Sequence, residues 1–176
     1  MTAIATVANR HRFPQAITRR LDRRPIVDLT IQGHRVASMR VGRIVVAGGQ
    51  LSHVQPRWSI AAASIAGVYW DNFCGRDKHS RCEIDFHVPR GMPSFLTLDY
   101  IRSGRSATYA DFRRCVRTLE QIGRIKRSYA IVANITNPAI TDRLLTRFGW
   151  QQHCLTWKGR HWIRRLNDDT PPRDRA

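Results

Sequence analysis

The stretch NPAITDRLLTRFGWQQH, Asn137 to His153, carries a start signal, one apolar face and a stop. Asn137 suits a helix N-cap, and Pro138 suits the first helical turn, where the missing N–H removes no bond. Ile140, Leu144, Leu145 and Phe148 recur at helical spacing and face inward, and Gly149 ends the helix. Beyond it, HCLTW (153–157) and HWIRR (161–165) flank a Lys158-Gly159 turn and read as a hairpin. A two-residue turn there sets Leu155 opposite Trp162 and Cys154 opposite Ile163.

Working back from this stretch, YAIVANI (129–135) is apolar almost throughout and reads as a buried strand. Before it, a helix spans about Tyr109 to Gly123, with Phe112, Cys115, Val116, Leu119 and Ile122 on one stripe. Arg113, Arg114, Arg117 and Arg124 lie off the stripe and should be solvated. The segment RSGRSATY (102–109) enters that helix as a polar connection, with Ser106 or Thr108 available as N-cap. SFLTLDYI (94–101) and EIDFHV (83–88) alternate as strands, the first with Leu96, Leu98 and Tyr100 on one face. The order is strand, loop, helix, strand, helix, strand, strand.

That order, ending in N-P-x-I…L-L-x-x-F-G-W and a hairpin, resembles the C-terminal half of the GNAT-type N-acetyltransferase superfamily, over roughly Ser94 to Arg165. The resemblance implies an α/β fold with a mixed, largely antiparallel sheet flanked by helices, acetyl-CoA as cosubstrate and an amine as acceptor. In that family a strand feeds a loop of the form Gln/Arg, two residues, Gly, one residue, Gly/Ala. The backbone N–H groups of this loop hold the CoA pyrophosphate at a helix N-terminus. Here IRSGRS aligns Gly104 and Ser106 with Ile101 at the basic position, whereas RSGRSA offers Arg102 and Ala107 with the glycine one place early. Carried over, Tyr100 and Ile101 lie where a strand splays to admit the pantetheine arm. Arg102, Gly104, Arg105, Ser106 and Ala107 surround the pyrophosphate, and Asn137 reaches the cosubstrate from the last helix. The family's usual tyrosine acid has no counterpart, since no tyrosine follows Tyr129 and the matching region offers Leu144 and Leu145.

Acyl transfer asks a protein mainly to position reactants, stabilise an oxyanion and accept a proton from the amine. Asp99, beside the expected splay, and Glu83 or Asp85 on the preceding strand are the acids available as base, and each also reads as an exposed strand residue. Cys74, His79, Cys82 and His87 supply zinc-type ligands, but spacings of four, two and four residues match no common finger, so no metal is expected. VYWDNFCGRDKHSR (68–81) mixes aromatic and polar groups and reads either as a substrate-binding loop or as a helix end tucking Trp70 and Phe73 inward.

The N-terminal half is less regular. A basic segment over 1–24 holds a short helical pattern, FPQAITRRLDRR (13–24). IVDLTI (26–31) and RVASMRVGRIVVAGG (35–49) read as strands joined by a QGHR turn, and WSIAAASIAGVYW (58–70) as a helix. One domain is expected over 1–166, followed by a disordered tail at 167–176.

The 176 residues, 42% of them hydrophobic, suffice for one packed core. Lysine plus arginine number 30 against 13 acids, giving +17, nearly all of it arginine. Such a field attracts polyanions. A non-specific nucleic-acid-binding module, or a non-catalytic relative of the acetyltransferases, therefore stands beside the enzyme. No apolar run reaches the length of a membrane span. Four scattered cysteines without a leader pattern suggest reduced thiols and a cytoplasmic location.

Overall fold

The computed structural model describes residues 23–58, 81–104, 106–136 and 140–166. Its elements are α1 (Gly33–Ser38), β1 (Val41–Ala47), β2 (Gln50–Pro56), β3 (Arg81–His87), β4 (Phe95–Ser103), α2 (Tyr109–Ile125), β5 (Ala130–Asn134), α3 (Asp142–Arg147), β6 (Gln151–Gln152) and β7 (His161–Arg165). The strands form one mixed sheet in the order β2-β1-β3-β4-β5-β7-β6. Only β4 and β5 run parallel; every other pairing is antiparallel. The expected mixed, largely antiparallel α/β architecture is what the chain adopts.

The C-terminal half follows the hydrophobic pattern closely. Cys115, Val116, Leu119 and Ile122 of α2 are buried against Ile84, Phe86, Leu96 and Ile131 of the sheet, while Arg113, Arg114, Arg117 and Arg124 are exposed. Thr108 caps α2: its hydroxyl accepts from the Asp111 amide, and the Asp111 carboxylate accepts from the Thr108 amide at 2.7 Å. This reciprocal arrangement satisfies two N-terminal donors at once. Between α2 and β5 lies only a short turn, so β5 must cross back parallel to β4.

Four expectations are corrected. IVDLTI is not a strand. Ile26 makes one bridge to Val54, and then the Asp28 carboxylate accepts from the amides of Thr30 (2.7 Å) and Ile31 (3.0 Å). That local bond competes with the ladder and turns the chain. Second, QGHR does not form a turn; Gly33 begins α1, and the strand starts only at Val41. Lys126 Nζ, reaching the carbonyls of Val36 and Ala37 at 3.1 and 3.0 Å and that of Met39, satisfies the end of this short helix.

Third, α3 begins at Asp142 and not at Pro138. Its cap is Thr141, whose hydroxyl accepts from the Leu144 amide. Fourth, the last hairpin is wider than a two-residue turn allows. Gln151 pairs with Ile163 and Gln152 with Trp162, and Cys154 sits at φ 52° in the loop, so Leu155 does not face Trp162. The proposed helices over 13–24 and 58–70 lie outside the described residues except for Arg23, Arg24 and Trp58, none of which is helical, and the loop around Trp70 and Phe73 and the 167–176 tail lie outside them altogether. No helix among the described residues is long and apolar enough to cross a membrane.

Candidate active site at the parting of two parallel strands

The β4–β5 ladder is short. It joins Phe95 to Ala130, Leu96 to Ile131, Thr97 to Val132 and Leu98 to Ala133, and there it stops. β5 ends one residue later, whereas β4 continues to Ser103. The cause lies on the other side of β4. Against β3, Phe86 pairs with Leu98 but Asp85 pairs with Tyr100, so Asp99 is an extra residue in a bulge. A bulge bends and twists its strand, and this one falls at the residue where β4 leaves β5. It also moves Tyr100 to the opposite face from Leu96 and Leu98, which corrects the single face expected for the three.

The parting leaves a cleft of about 220 Å³ lined by Leu98, Asp99, Tyr100 and Ile101 on one side and Asn134, Ile135, Thr136 and Ile140 on the other. Tyr100, Ile101 and Asp99, singled out from the sequence, therefore share one wall. Asn137 and Arg105 lie outside the described residues.

Alternation places Glu83, Asp85 and His87 on the sheet face opposite α2. There the Asp99 carboxylate meets His87 Nδ1 at 2.7 and 2.8 Å. Burial pushes the Asp99 carboxyl above the usual aspartate range, and the bond to His87 pulls the other way. When Nδ1–H donates to the carboxylate and the ring is neutral, Nε2 is the nitrogen that carries the lone pair. From the sequence His87 offers itself only as a zinc-type ligand. The signal that pairs it with Asp99 is the bulge, which no local pattern announces.

Glu83 stands apart from this pair. Arg43 Nη1 (3.0 Å), Arg81 Nε (2.9 Å) and Arg102 Nη1 (3.6 Å) surround it, and Arg43 also forks onto Asp85 with two 2.7 Å bonds. Both carboxylates are almost wholly buried, at 4% and 7% exposure. Neither lines the cleft, so the expectation of exposed strand acids fails: they are buried carboxylates paired with partly buried arginines. Arg102 also lies over the Tyr100 ring, 5.9 Å from its centre.

The loop after β4 holds a second departure. The Gly104 amide donates to the Arg81 carbonyl (2.9 Å), the Ala107 amide to the Gly104 carbonyl (3.0 Å) and the Thr108 amide to Asp111. Asp111, 1% exposed, also accepts from the Gly49 amide at 2.7 Å. Those bonds, Gly49 first, hold its carboxyl below the usual range. The α2 N-terminus thus already has an anion, supplied by the chain itself. A main-chain cradle built on Gly104, Ala107 and Thr108 is absent, and Ser106 stands exposed beside it.

On the face shared by His87 lies a second cavity, of about 320 Å³, between the start of β4, β5 and the β6–β7 loop. Thr97, the register partner of His87, lines it, and Asn134 lines both cavities. Sequence reading did not find it, because its walls come from three separated segments. As for metals, no group of three or more ligating side chains occurs among the described residues. Cys82 and His87 point to opposite faces of β3, and Cys74 and His79 lie outside the described residues.

No protein-family model matches the chain, and no curated protein matches it. Among solved structures it is similar to that of yncA from Salmonella typhimurium, provisionally named an acetyltransferase, with its cofactor acetyl-CoA. Identity is 13% and the TM-score 0.40, over 68% of this chain and 82% of that one. It is also similar to the C-terminal condensation domain of Ebony in complex with beta-alanyl-dopamine, at 12% identity and a TM-score of 0.31, over 70% of this chain and 64% of that one.

Proposed function

We propose that this chain is an acyl-CoA-dependent N-acyltransferase, moving an acetyl group from acetyl-CoA to an amine. One observation carries the reading: β4 and β5 part after Leu98 and Ala133, and an imidazole–carboxylate pair stands at the parting. The cleft takes the pantetheine arm and thioester, alongside the main chain of Tyr100 and Ile101. Past Leu98 the edge of β4 has no strand partner on the β5 side among the described residues, so its main-chain groups suit an extended amide-bearing arm.

In this reading Asp99 fixes the ring and His87 Nε2 takes a proton from the acceptor amine. The nitrogen lone pair forms the C–N bond at the thioester carbonyl. Collapse of the tetrahedral adduct breaks the C–S bond, and the departing thiolate takes up the proton from the imidazolium. The products are an amide and a free thiol, and the base is restored. With the Gly104, Ala107 and Thr108 amides engaged within the chain, the diphosphate falls to side chains, foremost Arg102, with Arg105 and Asn137, outside the described residues, as the further candidates.

Those engaged amides favour a second reading, a non-catalytic basic relative that holds nucleic acid without sequence preference through solvated arginines. Calorimetry with acetyl-CoA and with a short DNA duplex, each at 50 and 200 mM salt, separates the two. The first reading predicts saturable acetyl-CoA binding that survives the higher salt. The second predicts none, with duplex affinity falling by about 10³–10⁵ over that range for a protein making six to ten phosphate contacts.

A further inference from the structure

We infer that the second cavity is the acceptor site and that its ligand is a primary amine carried on a flat apolar body, an arylalkylamine. The inference rests on the acyltransferase reading above and deepens it. Its ground is the chemistry of the wall. The lining is predominantly apolar, with Phe95, Val132, Pro89, Met92 and Trp157 among its residues, and none of the lining residues is Asp, Glu, Lys or Arg. On a chain of net charge +17, a hollow whose polar groups are only Thr97, Asn134, His153, Cys154 and His161, with Trp157 and Trp162 as amphipathic rings, suits an apolar body better than a polyanion or a polyamine. A pocket of this kind gains from apolar burial, with a few polar groups setting orientation.

The rim supports the same occupant. Trp157 is 64% exposed and Met92 52% exposed, although both border the hollow. The Trp157 ring lines the hollow and meets His161 edge-on at 5.6 Å, and a second ring packs well against such an aromatic surface. Exposed apolar side chains that flank a cavity mark a binding surface more often than isolated ones do.

Position fixes where the amine goes. Asn134 lines this cavity and the thioester cleft alike. Thr97 lies beside His87 in the ladder, and His87 is bonded to Asp99 on the cleft wall. An amine whose ring fills the hollow thus directs its nitrogen toward the junction where the base stands.

The test follows thiol release from acetyl-CoA with phenethylamine and tryptamine, against ethanolamine and spermidine. The aromatic amines should show kcat/KM higher by about 10- to 200-fold, the range one apolar pocket contact supplies. Trp157→Ala, at an exposed site, should raise the KM for tryptamine by about tenfold and leave the KM for acetyl-CoA as it was. If polar amines are acetylated equally well, or Trp157→Ala leaves the preference intact, the arylalkylamine assignment is overturned while the acyltransferase survives. If no amine is acetylated and acetyl-CoA does not bind in calorimetry, both fall together.

Discussion

Replacing His87 with Gln should lower kcat for acetyl transfer by about 10²- to 10⁴-fold, the contribution of a well-placed general base, with the KM for acetyl-CoA little changed. Gln keeps a hydrogen-bonding group near Asp99 but offers no nitrogen that accepts the amine proton. Steady-state kinetics above neutral pH, with acetyl-CoA affinity measured in parallel, reads the two effects apart. Asp99→Asn tests the linkage. It retains the contact with Nδ1 but disturbs the tautomer that presents Nε2, so kcat should fall in this variant too, again without loss of cosubstrate affinity. An unchanged kcat in His87→Gln would remove the pair from the chemistry and leave it as a structural clasp across the bulge.

Replacing Arg43 with Met should destabilise the fold by about 3–5 kcal/mol, because it strands buried carboxylates. Asp85 loses both of its 2.7 Å bonds, while Glu83 keeps Arg81 and Arg102. Most of the loss should therefore trace to Asp85. The double variant Arg43→Met with Asp85→Leu should recover much of it, since a buried pair replaced as a whole by apolar groups is often neutral. Denaturant unfolding of the wild type and both variants checks this. A change below about 1 kcal/mol in the single variant would mean the network behaves like a surface ion pair.

What the sequence disclosed, and what it hid, follows the range of the interactions. The helix over Tyr109–Ile125 and the strands around Ile84, Leu96 and Ile131 are legible because their apolar periods are local and unopposed. IVDLTI misleads because one side chain, Asp28, offers the backbone a turn that the β-rich composition does not reveal. The last helix starts later than expected because Thr141, four positions after Asn137, supplies the cap, its hydroxyl accepting from the Leu144 amide.

That Tyr100 and Ile101 stand at a strand's divergence, with Asp99 beside it, is implied by the family resemblance, and the three line one wall of the gap between β4 and β5. The bulge at Asp99 depends on register with β3, so the sequence alone shows His87 as a zinc-type ligand and Asp85 as an exposed acid. The partner of Asp85, Arg43, is 42 residues away. The amide of Gly104 is taken by the Arg81 carbonyl from the adjacent strand, a bond that the loop's own composition cannot disclose.

If the gap between β4 and β5 receives an acyl-thioester arm, a crystal structure of the chain soaked with acetyl-CoA will show density for the pantetheine between Tyr100–Ile101 and Asn134–Ile135, with the thioester beside Asp99 and His87. An empty gap with CoA bound elsewhere, or no bound CoA at saturating concentration, would contradict it.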